Sequence, residues 1–192
     1  MALARKIHHH LTEETSSITF RYPSRLIKEL EAEAQEKEIS VNVLTKQILE
    51  KFVRWDRAAK TIGMIQIPME LLSTVGHELK GEMMMSMVDV LHSRLKDWVM
   101  YMKGGYDLKR VIETLEDYMR ASGMSSDHRV EGDLHHFVIQ HNLGIQWSLF
   151  AELLLKKIIY EFFPQKVIKF RTTENTIVAT VALGSDFDEH NY

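Results

Sequence analysis

Cysteine is absent from the 192 residues, which excludes a disulfide scaffold and any metal site built on thiolates, and is compatible with a reducing compartment. No run of about 18 apolar residues occurs, so nothing reads as a membrane-spanning helix. The opening MALARKIHHHLTEETSS lacks the apolar core of a signal peptide, and a cytoplasmic protein with no membrane partner is expected. An excess of basic charge is missing too. With 24 Lys and Arg against 27 Asp and Glu, the net charge is -3, whereas nucleic-acid binders usually show a basic balance, so any such surface has to be local. Catalytic signatures are lacking as well: there is no phosphate-cradling glycine loop, no G-x-S-x-G and no H-E-x-x-H, and an enzyme is not expected. No internal repeat or low-complexity tract stands out.

What is present is ordinary globular composition, 45% hydrophobic and 27% charged, with length for one large domain or two small ones. A change of texture near residue 60 favours two. Residues 1–15 form a polar arm; its triplet His8, His9, His10 is of a kind that can hold a metal but is more often simply solvated. In SSITFRYPSRL, residues 16–26, positions 17 to 22 alternate apolar with polar, the period of a strand, yet the stretch runs straight into Pro23 with no hairpin partner beside it. Beyond Pro23, a good helix opener, Leu26, Ile27, Leu30 and Ala34 lay one stripe along a helix. The step EIS breaks that pattern, and Ser40 is a good N-cap for a second helix carrying Val43, Leu44, Ile48, Phe52 and Trp55.

One strand and two amphipathic helices over residues 16–58 make too small a core to fold alone. The economical partner is a second copy, its strand antiparallel to the first, so that Ile18, Phe20 and Tyr22 face the helices while Ser17, Thr19 and Arg21 point outward. The plain alternative is a solvated sheet face, paired within the chain to TIGMIQI. Residues 1 to 57 hold ten basic side chains against nine acidic ones. The acids crowd into KELEAEAQEKE, and most of the bases lie elsewhere.

The run ITFRYPSRLIKELEAEAQEKEISVNVLTKQIL resembles the ribbon-helix-helix family of Arc/MetJ/CopG-type DNA-binding proteins, in which a strand precedes two helices separated by an I-S step. The resemblance covers residues 17 to about 55. It implies a homodimer on double-stranded DNA, with Ser17, Thr19 and Arg21 reading the major groove and the backbone N–H groups at Ser40, Val41 and Asn42 holding a phosphate. The chain departs from the pattern at Glu38, where the family often has glycine, and at Val41 and Asn42, where a serine or basic residue is common. Lys46 on the second helix, where it meets DNA, is expected to touch only phosphate. The physical reading agrees: a two-stranded ribbon fits the major groove, arginine can donate twice to guanine, and the first N–H groups of a helix suit an anion.

From residue 60 to 184 the pattern predicts a mixed α+β domain. KTIGMIQIP reads as a strand ending at Pro68; helices follow near 69 to 78, 81 to 102 and 107 to 122. The middle one, GEMMMSMVDVLHSRLKDWVMYM, is apolar over most of its circumference and is expected to be buried. HRVEGDLHHFVIQHN reads as one long strand, IQWSLFAELLLKKIIYEFF as a helix, and KVIKFRT with TIVATVAL as a hairpin around TEN. Residues 185–192 read as a frayed tail.

The best constellation in this domain is HHFVIQHN. On a strand His135, Phe137, Ile139 and His141 share a face, and the turn at Asn142 and Gly144 presents a helix start beside His141, so His135, His141 and Asn142 are the candidate ligand or metal residues. The plain reading is histidines satisfied by hydrogen bonds. Met83, Met84 and Met85 invite a soft metal, but consecutive helical residues fan out by about 100° and cannot converge, so core packing is expected. Trp98 and Trp147 read as core or interface. The whole plan, a DNA-reading unit fused to a second domain, is similar to that of the nickel-responsive repressors, although no metal ligands carry over. The second domain is then expected to sense a small-molecule or metal effector, or to add a tetramer interface. The alternatives are an antitoxin-type protein whose C-terminal part binds a protein partner, and a histidine-dependent metal-binding protein.

Overall fold

The structure, a computed structural model, describes residues 16–184 and Phe187. The arm with its histidine triplet and most of the 185–192 tail lie outside the described residues. The fold is mixed α+β, with helices and one four-stranded antiparallel sheet that is C-terminal. Contacts divide the chain into two units between Lys46 and Gln47. That is earlier than the texture change near residue 60 suggests, because the second helix does not stop there.

In the first unit, residues 16–23 form no strand within the chain, and α1 (Ser24–Glu36) starts directly after Pro23. Proline fixes φ near the helical value and has no N–H to lose, which suits the entry. Along α1, Ile27 and Leu30 are half-buried and Ala34 is buried. The helix closes with two reversed hydrogen bonds, Ile39 N–H to the Ala34 carbonyl at 2.9 Å and Glu38 N–H to the Gln35 carbonyl at 3.1 Å. This closure places its hinge residue in the left-handed region, and Glu38 has φ 54°. The glutamate therefore occupies a conformation that favours glycine. The second helix, α2 (Val41–Lys51), opens on Ser40, whose hydroxyl oxygen accepts from Val43 N–H at 3.2 Å; the expected cap is present.

α2 continues through one wide, π-helical turn, Phe52–Asp56, and a last α turn, α3 (Arg57–Ala59). Here the expected strand KTIGMIQIP is not found. Thr61 and Ile62 extend the helical turn, Met64 N–H reaches back to the Ala59 carbonyl at 2.8 Å, and Gly63 with φ 81° ends it. Residues 64–68 are irregular, so neither this stretch nor residues 16–23 supplies a strand for the other. Apolar alternation alone was misleading because a glycine helix stop sat inside it.

The second unit then runs α4 (Met69–Glu78), α5 (Gly81–Lys103), α6 (Leu108–Ala121), β1 (Ser125–Glu131), β2 (Leu134–Gln140), α7 (Ile145–Phe162), β3 (Ile168–Thr172) and β4 (Thr176–Ala182). The sheet order is β1-β2-β4-β3. Residues 128–142 are not one strand: Glu131 pairs with Leu134 across a turn at Gly132 and Asp133, making β1 and β2 a hairpin. Gly132 has φ 61°, and a Gly-Asp step between alternating segments is the turn signal. One sheet face is apolar and dry, with Phe137, Ile177, Ala179 and Val181 buried; the helices bury Val88, Leu95, Val99, Val111, Leu154, Ile158 and Ile159 in the same core.

α5 is not buried all round. Met84, Val88, Leu95 and Val99 face the core, whereas Met83, Met85, Val90, Met100 and Tyr101 are exposed. The methionines fan out as helical geometry requires, and only Met84 of the first three is buried. Trp98 and Trp147 pack against the core; the Trp147 indole N–H donates to the Leu72 carbonyl at 2.8 Å, joining α7 to α4. Phe187, in the stretch read as a frayed tail, is buried in the core instead.

Because Glu38 holds a left-handed conformation at a helix end, Glu38→Gly is expected to stabilise the chain by about 1 kcal/mol, against the usual sign for a glycine substitution. Urea unfolding checks this through a raised midpoint at unchanged slope.

Candidate functional site

In the first unit Ser17, Thr19 and Arg21 are exposed, and so are the apolar residues between them. Ile18 is 73% exposed, Phe20 55% and Tyr22 48%. The Phe20 and Tyr22 rings stack at 5.8 Å, as side chains two apart on one face of an extended segment can. Beyond them, α1 and α2 expose Leu26 and Val43, and only Ala34 and Leu44 are buried among residues 16–46. Three apolar side chains thus alternate along a segment that has no strand partner among the described residues.

At the start of α2, Ser40 and Asn42 are exposed and Val41 is half-buried. The Ser40 cap takes the Val43 N–H, and the N–H groups of Val41 and Asn42 meet no acceptor among the described residues. They are directed along the helix toward its positive end, the geometry that suits a phosphate. Lys46 lies exposed on the same helix.

The histidines of the second unit are brought together differently from the sequence expectation. His135 and His141 stand six residues apart, roughly 20 Å along extended chain, at opposite ends of β2. Each belongs to its own hydrogen-bond chain. His135 Nε2 lies 3.2 Å from the Gly184 carbonyl, which can only accept, so that nitrogen carries the proton; His135 Nδ1 therefore accepts from His128 Nε2 at 2.9 Å. Phe137 stacks on His128 at 4.5 Å and Phe187 packs tilted against His135 at 4.9 Å.

At the other end, His141 Nδ1 accepts from Leu143 N–H at 3.1 Å, so its Nε2 carries the proton and donates to Ser148 Oγ at 3.1 Å. Ser148 in turn donates to the Glu174 carbonyl at 3.0 Å. This is the wrong tautomer for His141 to take a proton from Ser148, so the pair braces the end of β2 and the start of α7 against the β3–β4 turn. That turn also receives Gly144 N–H on Asn175 Oδ1 at 3.1 Å. Asn142 is exposed. Burial pushes the His141 pKa below its ordinary 6.5. Among the described residues no group of three or more His, Asp or Glu side chains could hold a metal ion.

Sequence reasoning missed a charged cluster around Asp117. Its carboxylate is 4% exposed and receives Lys103 Nζ at 2.6 Å, Arg120 at 3.2 Å and Arg54 at 3.9 Å. Asp117 and Arg120 are one helical turn apart and could have been paired on spacing. Nothing local, though, points Arg54 or Lys103 at them. A cavity of about 220 Å³ opens beside the cluster, lined by Gln47, Glu50, Lys51, Arg54, Trp55, Asp117, Arg120 and Ala121.

No protein-family model matches the sequence, and no curated protein matches it. No helix among the described residues is long and apolar enough to cross a membrane.

A histidine held below its unfolded pKa binds its proton more weakly when folded, so the stability it carries is complete above about 6.5 and is lost as pH falls below that value. Stability measured by urea unfolding is expected to drop between pH 7.5 and 5.5, and His141→Gln is expected to remove part of that drop while lowering stability at neutral pH by about 1–3 kcal/mol through the unsatisfied Ser148 and Leu143 groups.

Proposed function

We propose that the chain is a sequence-specific DNA-binding regulator of the ribbon-helix-helix type, dimeric through residues 17–22. The observation that carries the reading is the exposed alternation Ile18, Phe20, Tyr22 in front of two capped helices with two buried residues between them. A segment so apolar on one face has to cover it, and an antiparallel mate from a second copy would do so while satisfying the unpaired backbone groups. Ser17, Thr19 and Arg21 would then form the outer face of a two-stranded ribbon.

In the major groove, Arg21 would donate two hydrogen bonds to guanine O6 and N7, and Thr19 would meet a base edge or a thymine methyl. The Val41 and Asn42 N–H groups and Lys46 would hold backbone phosphates, which orient the ribbon without reading sequence. The second unit has its own core and would modulate this binding, as an effector domain or by pairing dimers into tetramers. The net charge of -3 leaves only a local basic surface for DNA.

Since the chain has no cysteine, Thr19→Cys places a single thiol at the middle of the outer face. Mild oxidation is expected to link two full-length chains by a disulfide, whereas a cysteine at Lys109 should not; equal or absent linking at both would rule out the ribbon. Selection of duplexes from a random pool is expected to enrich a palindrome. On that sequence Arg21→Ala should cost roughly 1–3 kcal/mol and relax one position in each half-site, while Lys46→Ala should weaken all sequences alike and reduce the salt slope by about one. An Arg21→Ala protein with unchanged preference and affinity would show the segment to be an ordinary solvated face.

A further inference from the structure

We propose that the cavity beside Asp117 is a binding site for a small ligand bearing one oxyanion group, a carboxylate or a phosphate, gripped by Arg54 and Arg120. The site lies wholly within the second unit and does not rest on the DNA-binding reading.

Charge is the first argument. The cavity is lined by three cations, Lys51, Arg54 and Arg120, against two carboxylates, Glu50 and Asp117. Lys51 also pairs with Asp56 at 4.0 Å and Arg120 also faces Glu116, so the cluster as a whole is balanced and the positive excess is confined to the side chains that line the cavity. Like charges held together raise the energy of the empty site, and an arriving anion relieves it.

Geometry is the second. The two guanidiniums converge through Nη1 on one atom, Asp117 Oδ1, from 3.9 and 3.2 Å. Arg120 donates a hydrogen bond to that buried oxygen and Arg54 pairs with it through charge alone, and the Nε and Nη2 donors of both have no acceptor among the described residues. A guanidinium offers five donors in a rigid fork that matches carboxylate and phosphate edges, so two forks side by side make an anion clamp.

Size and backbone are the third. About 220 Å³ is roughly seven times the 30 Å³ share of a water molecule and below the range of drug-sized pockets, so the ligand is a small metabolite with an apolar portion against Trp55 and Ala121. Arg54 and Trp55 both sit on the π-helical turn Phe52–Asp56. Such turns inside α-helices are frequent at functional sites.

The test uses the full-length protein, with inorganic phosphate and, separately, acetate replacing chloride at constant ionic strength. Binding is followed by the indole N–H signals of the three tryptophans. Both anions are expected to shift the Trp55 signal saturably, leaving Trp98 and Trp147 in place; a response to one alone identifies which oxyanion the clamp accepts. Arg54→Gln and Arg120→Gln are expected to weaken binding about tenfold or more, the loss of a charge-assisted hydrogen bond. Arg54→Lys, which keeps the charge without the fork, should also weaken it, and Arg129→Gln on β1 should change nothing. An unsaturable response at tens of millimolar, or equal affinity in the folded Arg54→Gln, Arg54→Lys and Arg120→Gln proteins, would overturn the site.

Discussion

The second unit depends on one-sided burial of its sheet. Antiparallel pairing of β2 with β4 aligns Phe137 with Ala179 and Ile139 with Ile177, so that alternate residues of both strands form one apolar face. α7 covers this face with Ile158 and Ile159, both fully buried. A slip of one residue in either strand would turn every inward side chain to the other face, so register and core are one constraint. The hydrogen-bond chain through His141, Ser148 and Glu174 sits where the end of β2, the start of α7 and the β3–β4 turn meet. It serves that register, and its histidine tautomer follows from the backbone groups it satisfies.

The first unit poses the opposite situation. Its helix ends are well specified, by Pro23 at the entry, by the reversed bonds around Glu38 and by the Ser40 cap. Yet Ala34 and Leu44 are its only buried residues among those described. Capping and helix propensity contribute about a kilocalorie per mole each, too little to offset the entropy of ordering some thirty residues without a core. The proposed second copy answers this deficit, and it would place the polar side of the segment where a groove can be read. Glu38 in its left-handed conformation indicates that local strain is tolerated to keep the turn between the helices.

The Asp117 cluster follows from the way α2 continues. A helix that stopped near residue 51 would not bring Arg54 and Trp55 against α6. The wide turn Phe52–Asp56 carries both residues there, with Trp55 against the Tyr118 ring at 5.4 Å. A buried carboxylate is costly unless its charge is met, and three cations meet that of Asp117 from α5, α6 and the wide turn. The surplus of donors over acceptors that results is what the proposed anion site draws on.

The sequence by itself determined the helices, their periodicity, the Pro23 and Ser40 boundaries, the hairpin around Thr173 to Asn175 and the α+β class, because each rests on signals within a few residues. It also contained the Gly132-Asp133 turn and the Gly63 helix stop, which longer apolar patterns obscured. Only the tertiary structure decided that residues 16–23 and 64–68 find no strand partner among the described residues, that His135 and His141 serve separate networks, and that Phe187 is buried. It alone decided that Arg54 and Lys103 meet Asp117. Pairing and charge convergence depend on distances between residues far apart in the chain, and local periodicity carries no information about those distances.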